Sequence, residues 1–480
     1  MPLVGAGAIA FGLLVATRPL IASGLLIFVL LLAFAFLAPV ANLLLLLFAT
    51  AIVPYGIANR FGVGGGSEAA SFIVSDILLI GGLLNAGMTL LQQPLGRRPA
   101  LAGGAVVIFL AAAFLQLVHG IQLGREASVV GNEFRPLLGF GALLMALPIV
   151  RDQRARERLF KGLLVLGLVL GLWGVGQYLL GTSYAGAEDV GVREGVAFTT
   201  AEIRGSVQGG LYAFPVALCL AFAALMSGYL RSLAVRLTLV AVMVLNGVAL
   251  LLTYERTFWL ASVLALAFIS ARSGAVQRAR FLLWAPALLI IAFSVLSTVA
   301  PNELAAARER LLSLGQYEDD DSLRYRQVES QRVLEQIYEH PLIGSGFAAT
   351  VYFGRPWAQV PPKTFAYTHN GYLWLAWKLG IPAALLLFLL LVTTVVWRGP
   401  PAGDPLFASV RIGAQGALLA LLVVSVTFPA IRAVSVTVAM GMLAGMCATP
   451  RAAAISGGEG RGAANGSRDT SPSIPPVAAG

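Results

Sequence analysis

The chain has 480 residues, of which 58% are hydrophobic and 12% charged, with a mean hydropathy of +0.83. Soluble globular chains carry about 25% charged residues, so this composition excludes an ordinary soluble protein. The formal net charge of +10 does not indicate nucleic-acid binding, because the basic residues lie in short loops between apolar runs and act there as topology determinants. The expected partner is therefore the lipid bilayer and no nucleic acid.

Apolar runs of about 17–25 residues, the length that crosses a bilayer core, recur along the chain. They are continuous rather than alternating, which excludes a β-barrel and predicts an all-α polytopic membrane protein. Because the first run is short, we expect about 12 to 14 transmembrane helices. The candidate spans are 4–17, 20–37, 41–57, 72–91, 101–119, 135–150, 159–180, 207–229, 234–253, 257–271, 280–299, 371–396, 408–428 and 432–449.

The basic loops predict the orientation. "PLGRRPA", "RDQRARERLFK", "YLRSLAVR", "ARSGAVQRAR" and "VVWRGP" are separated by even numbers of spans, so all lie on one side, which the positive-inside rule assigns to the cytoplasm. Both termini are expected there. The predicted regions are N-terminal transmembrane helices at 1–300, an extracytoplasmic loop at 301–368, C-terminal transmembrane helices at 369–449 and a disordered cytoplasmic tail at 450–480.

The long extracytoplasmic stretch is predicted to form a partly helical cap. "NELAAARERLLSL" and "SLRYRQVESQRVLEQIYEH" both have helical periodicity, and the second places Val333, Leu334, Ile337 and Tyr338 on one face. Pro341 ends that helix, and the Gly-rich turn "PLIGSGF" follows.

Four arginines stand at the predicted outer ends of spans, where the positive-inside rule disfavours them: Arg135, Arg204, Arg256 and Arg432. Singly, each is explained by snorkelling to headgroups or by pairing with an acid such as Glu255. Together on one face, their guanidinium groups would suit a diphosphate substrate, because they stay charged and bind phosphate oxygens bidentately.

His369 is the most specific single candidate. A lone histidine is usually structural, but this one is followed by Asn370 and then by a predicted span, so it would lie at the membrane interface facing the cap. There it could accept a proton from a sugar hydroxyl or bind phosphate. Asn370, next to His369, and Glu255, next to Arg256, are also candidate substrate-binding residues.

No cofactor or metal is expected. Cys219 and Cys447 lie in apolar runs and the three histidines are far apart, so neither a disulfide nor a metal cluster is indicated. The acidic run at 318–321 is better explained as a solvated surface than as a cation site.

Four ordered motifs over roughly residues 200–400 resemble the O-antigen ligase and polymerase superfamily, the bacterial membrane enzymes with a Wzy-C type domain. "RGSVQGGLYAFPVAL" is similar to the family's Arg-Gly opening of a middle helix, and "LLTYERTFWLASVLAL" to its Thr-x-x-Arg segment. "SLRYRQVESQRVLEQIYEHPLIGSGF" resembles the external helix that ends in Pro-x-x-Gly-x-Gly. "THNGYLWLAWKLGIPAALL" resembles the His-Asn-x-x-Leu signature with its following Gly-Ile-Pro.

The resemblance implies a GT-C-like, metal-independent, inverting glycosyltransferase of the bacterial inner membrane. Such an enzyme moves a glycan from an undecaprenyl diphosphate carrier to a lipid or glycan acceptor on the extracytoplasmic face. By this resemblance Arg204 and Arg256 would hold the diphosphate, and His369 would orient or deprotonate the acceptor hydroxyl or help to bind phosphate. Arg326, or less favourably Arg324, matches the basic position of the external helix.

Several alternatives stay open at this point. A ligase, a polymerase and a protein O-glycosyltransferase share all these motifs. A solute transporter, for example of bicarbonate, would instead place ionisable residues in the middle of spans. Asp76 is about the only acid well inside the apolar pattern, so the transporter and a flippase-like scaffold are disfavoured.

Overall fold

The computed structural model of the chain describes residues 19–52, 68–93, 95–179, 211–227, 232–253, 255–279, 282, 294, 321–355, 360–398 and 405–448. Several predicted features lie outside these residues. They are the first candidate span, nearly all of the span at 280–299, the first external helix, most of the acidic run and the C-terminal tail.

Helices dominate the described residues. In chain order they are α1 (Pro19–Leu37), α2 (Pro39–Ile52), α3 (Glu68–Gln92), α4 (Arg97–Gln122), α5 (Ala127–Leu138), α6 (Ala142–Arg151), α7 (Gln153–Leu179), α8 (Ala213–Met226), α9 (Leu233–Leu252), α10 (Arg256–Arg272), α11 (Asp321–Glu339), α12 (Gly371–Leu379), α13 (Ile381–Val396), α14 (Pro405–Val424) and α15 (Val434–Ala448). Short 3-10 turns at Gly139–Gly141 and Ala430–Arg432 precede α6 and α15, and two strands, β1 (Val351–Arg355) and β2 (Val360–Phe365), follow α11.

Six stretches of the described chain are long and apolar enough to cross a membrane: Val74–Gln92, Arg97–Gln122, Ala127–Arg151, Gln153–Gly176, Leu233–Leu252 and Leu406–Val424. Shorter apolar helices accompany them at Leu26–Leu37, Pro39–Ala51, Ala213–Met226, Ile381–Val396 and Val434–Ala448. A polytopic helical membrane protein is therefore confirmed, whereas the total of about 12 to 14 spans and the GT-C-like arrangement stay predictions.

Two predicted spans have the wrong boundaries. The span expected at 135–150 is part of the stretch Ala127–Arg151, so Arg135 lies inside a helix instead of opening one. Polar residues such as Glu133 lower the mean hydropathy of the first turns of this helix, so these turns were not predicted as part of the span. The span expected at 371–396 is two helices, because Gly380 adopts φ +84° and ψ 159°, a conformation open essentially to glycine alone.

Several basic side chains lie at one end of the helix bundle. At this end, here called the arginine end, Arg98 lies 4.8 Å from the Trp397 ring, Arg272 donates to the Val396 carbonyl at 2.8 Å, and Arg151 donates to Gln93 at 3.1 Å. These contacts bring together four of the five basic loops that the sequence placed on one side; none of them involves "YLRSLAVR". The assignment of that side to the cytoplasm stays a prediction.

The amphipathic face of α11 is rotated from the predicted one. Val333 and Ile337 are buried as expected, but Leu334 is 36% exposed and Tyr338 78% exposed. The buried stripe continues through Glu329, one turn before Val333, and a search for apolar residues alone missed this polar member.

A small β-hairpin, which the sequence did not predict, completes the segment between α11 and α12. β1 and β2 pair antiparallel, with Val351 opposite Phe365 and a bulge between Phe353 and Arg355. The rings of Phe353 and Phe365 stack with centroids 4.4 Å apart. Two consecutive prolines in β2 argue against a central strand, but a two-stranded ribbon has only edges and accepts them. The hairpin is the non-helical part of a cap that was predicted to be partly helical.

Gly380 offers a direct test of the break between α12 and α13. A Cβ at this position would lie 2.2 Å from the Leu342 carbonyl oxygen, on top of the backbone strain. We expect Gly380→Ala to destabilise the fold by at least about 2 kcal/mol, seen as a lowered melting temperature of the purified protein in detergent. Gly247→Ala is the matched control, since a Cβ there meets nothing within 4 Å and alanine favours the helix. Equal melting temperatures for the two variants would contradict the requirement for glycine at the break between α12 and α13.

Candidate active site

The turn between α14 and α15, residues 425–433, contacts the starts of two other helices. The Thr257 hydroxyl, at the start of α10, lies 2.7 Å from the Thr427 hydroxyl. The backbone N–H of Gly371, the first residue of α12, donates to the Ser425 carbonyl at 2.8 Å. The residues that precede α10 and α12 therefore meet around one turn, far from the arginine end.

His369 lies two residues before α12 and is held by a buried carboxylate. Its Nδ1 is 2.8 Å from Oε2 of Glu329, and its backbone N–H donates to Oε1 of the same carboxylate at 3.2 Å. The Glu329 side chain is 1% exposed and that of His369 16% exposed. Both the position and the orientation of the imidazole are thus fixed, and Nε2 is the ring nitrogen left for other partners.

Aromatic rings surround the imidazole. The rings of Tyr325 and Tyr367 lie 5.9 Å and 5.6 Å from that of His369, both edge-on. The Arg432 guanidinium lies 5.1 Å from the centre of the Tyr367 ring, a cation–π distance. Arg432, which was predicted on charge alone, is therefore in the same group of side chains as His369.

Asn370 caps α12. Its side-chain oxygen accepts from the backbone N–H groups of Tyr372 and Leu373 at 3.0 and 3.1 Å, the usual role of an asparagine at a helix N-terminus. The Asn-after-His pattern that suggested a substrate contact thus has a structural explanation in the cap, and direct substrate binding by Asn370 stays a prediction.

Arg256 is the first residue of α10, and Glu255 is its N-cap. Both side chains are half-buried, and the adjoining hydroxyl pair of Thr257 and Thr427 places them at the turn described above. Trp259 closes the tight connection from α9 by donating its indole N–H to the Leu250 carbonyl at 2.8 Å. The predicted short turn with an arginine at its end is present.

The other predicted arginines are placed differently. Arg135 pairs with Asp76 at 2.8 Å and donates to the Ser75 hydroxyl at 3.0 Å. Its charge is therefore balanced by an acid within the bundle. Arg324 is exposed on α11 and Arg326 is half-buried, one turn from Glu329. Arg204 lies outside the described residues.

Residues 241–388 match the family Wzy_C, described as O-antigen ligase. The chain carries an O-antigen ligase domain. The superfamily that the motifs indicated is therefore confirmed, over a segment that runs from α9 into α13 and includes Arg256, Glu329 and His369. Arg204, Arg135 and Arg432 lie outside the matched segment. No match is found among curated proteins.

Glu329 is a residue of the ligase domain that sequence reasoning missed. The available signal was an acid at the position of an apolar stripe: Tyr325, Glu329, Val333 and Ile337 follow each other at four-residue spacing, and all four are buried. A carboxylate at such a position needs a buried partner, and His369 is the partner.

The far end of α12 holds a second buried ion pair, which was also missed. Lys378 is fully buried, with Nζ 3.0 Å from Glu133 and 2.6 Å from the Ala349 carbonyl oxygen. Glu133 also accepts from the backbone N–H of Ala348 at 2.8 Å. The pair fastens the Gly-rich turn after α11 to both α5 and α12.

Backbone contacts complete this attachment. The N–H groups of Ser345 and Gly346 donate to the carbonyls of Trp377 and Lys378 at 2.7 and 3.1 Å. Gly344 and Gly346 have φ of +79° and +77°, which explains the two glycines of the Pro-x-x-Gly-x-Gly motif. The motif is therefore a docking element for α12.

The Lys378–Glu133 pair predicts asymmetric mutational effects. Lys378→Met leaves the Glu133 carboxylate buried without its cation, which costs about 3–5 kcal/mol. Adding Glu133→Gln removes that charge and keeps an acceptor for Ala348, so the double variant should melt at a higher temperature than Lys378→Met alone. Thermal melts of the purified protein in detergent provide the comparison. A double variant less stable than the single one would refute the ion-pair interpretation.

Proposed function

We propose that this protein is a membrane glycosyltransferase of the O-antigen ligase or polymerase type, with a GT-C-like fold. It would transfer a glycan from an undecaprenyl diphosphate carrier to an acceptor hydroxyl on the extracytoplasmic face of the bacterial inner membrane. The observation that carries the proposal is the Glu329–His369 pair, which lies within the ligase domain near the 425–433 turn. That turn includes Arg432 and contacts the start of α10, where Arg256 lies.

In this proposal His369 is the general base. Glu329 accepts the Nδ1–H hydrogen bond, which selects the tautomer whose Nε2 carries a lone pair. The acceptor hydroxyl donates to Nε2, and its proton moves there as the oxygen attacks the anomeric carbon. The buried carboxylate then stabilises the imidazolium that forms, as in other carboxylate–histidine pairs.

Arginines stabilise the leaving group. The bond between the anomeric carbon and the diphosphate oxygen breaks as the new bond forms, and the electron pair leaves with the diphosphate. Fixed positive charge where negative charge develops lowers this barrier. Arg256 and Arg204 are proposed for this role, with Arg432 beside them; Arg326 is proposed to contact the sugars or phosphates from α11.

The displacement occurs in a single step, so the anomeric configuration inverts. The proton ends on His369 and the negative charge on the diphosphate, where arginine, rather than a metal ion, is proposed to balance it. A lipid core or a carrier-linked repeat is the acceptor that we propose.

The transporter alternative receives no support from the family match. The argument that the spans contain few ionisable residues was incomplete, because Lys378 and Glu133 are ionisable and buried within apolar helices. Their contacts with Ala348 and Ala349 nevertheless explain both charges as structural.

Transfer assays test the arginine and histidine roles. In proteoliposomes with an undecaprenyl-diphosphate-linked glycan and excess EDTA, we expect wild-type transfer to persist. Arg204→Ala, Arg256→Ala and His369→Ala should each lower kcat by about 10²-fold or more. Arg332→Ala, which removes an exposed arginine of α11, is the control. Full transfer by all three variants would rule out these roles, and loss of wild-type transfer in EDTA would rule out metal independence.

Glu329 is tested by removing its charge while keeping its shape. We expect Glu329→Gln to lower kcat by about 10²–10⁴-fold with little change in the KM for the donor, because the carboxylate acts through His369. Glu335→Gln, an exposed acid on the same helix, should retain full activity. Wild-type kcat in Glu329→Gln would show that the carboxylate has no part in the reaction.

A further inference from the structure

A groove opens at the arginine end of the bundle, away from the 425–433 turn and the candidate site around His369. Its volume is about 500 Å³, and it runs between α4 and α13 to Ala448 at the end of α15. The walls are mostly aliphatic, and no acidic side chain is among the described residues that line it. Representative lining residues are Leu101, Ala105, Leu386, Leu390, Thr393 and Trp397.

Arg98 lines the mouth of this groove, and two more guanidinium groups contact the lining residues Val396 and Trp397. The Trp397 ring has Arg98 at 4.8 Å and Arg411 at 5.8 Å. Arg272 donates to the Val396 carbonyl at 2.8 Å, and the buried Arg411 donates to the Arg398 carbonyl at 3.1 Å. These like charges repel one another, so an anion at the mouth would be favourable.

The groove has the depth of one membrane leaflet. From Leu386 to Trp397 the helical rise is about 16 Å, roughly half of a bilayer core of about 30 Å. A Trp at one end of an apolar wall is typical of the interface between hydrocarbon and headgroups. The groove therefore fits acyl chains of one leaflet and is too short for a long polyprenyl chain along its wall.

From these features we propose that the groove binds an anionic glycerophospholipid of the leaflet at the arginine end. Its phosphate contacts the exposed guanidinium of Arg98, with the positive charges of Arg272 and Arg411 behind it, and its acyl chain follows the wall formed by α4 and α13. Basic pockets between membrane helices on the cytoplasmic side are known to bind such headgroups. The site is separate from the proposed glycan transfer and does not depend on it.

Lipid binding to the full-length protein tests this proposal. Native mass spectrometry of the detergent-purified protein, titrated with phosphatidylglycerol or phosphatidylcholine, should show phosphatidylglycerol bound at least about tenfold more tightly. Arg98→Gln should weaken phosphatidylglycerol binding about fivefold, the loss expected for one basic residue near a membrane surface. Ala105→Phe should block the groove and lower binding of the same lipid.

The variants and controls separate this site from other lipid contacts. Arg98 is exposed and Ala105 half-buried, so neither change removes a core contact. Arg154→Gln, an exposed arginine in the first turn of α7, is the matched control and should bind like wild type. Equal binding of the two lipids, or wild-type binding in either groove variant, overturns the proposal. Displacement of phosphatidylglycerol by excess glycerol phosphate also overturns it, because the headgroup alone would then suffice.

Discussion

The buried carboxylate of Glu329 is the constraint on which the arrangement of the site depends. A carboxylate taken out of water costs several kcal/mol unless it is paired, and this one is 1% exposed. Its partners are the ring and the backbone of His369, 40 residues further along the chain. Because both oxygens are engaged by one residue, α11 must lie against the start of α12, and the imidazole cannot rotate without leaving the charge unpaired.

The short helix α12 is held in the same way at its other end. Lys378 and Glu133 pair in the interior, and Gly380 then turns the chain into α13. At the N-terminal end of α12, the backbone N–H of Gly371 donates a hydrogen bond to the turn after α14, and Asn370 caps the helix. Side chains of a site held to within a fraction of an ångström need such support. The cap and the membrane helices therefore act as one scaffold for His369.

Hydropathy and the positive-inside rule predicted most of the helices and the shared end of four of the five basic loops, because both depend on local composition. Motif order predicted the ligase domain, Arg256 and His369. The rest depended on partners distant in sequence. In the sequence, Glu329 and Glu133 look like ordinary acidic residues of helices, and only the fold shows that they pair with His369 and Lys378. In the same way, Arg135 pairs with Asp76, 59 residues earlier. The hairpin was missed because prolines mark loops unless the strand is an edge.

The most direct test of the account is a structure of the protein with its undecaprenyl-diphosphate-linked donor, determined by cryo-electron microscopy in nanodiscs. The account predicts the diphosphate against Arg256 and Arg432, with the anomeric carbon facing Nε2 of His369 and the Glu329–Nδ1 hydrogen bond intact. A diphosphate bound away from these arginines, or an imidazole turned from Glu329 in the complex, would contradict it.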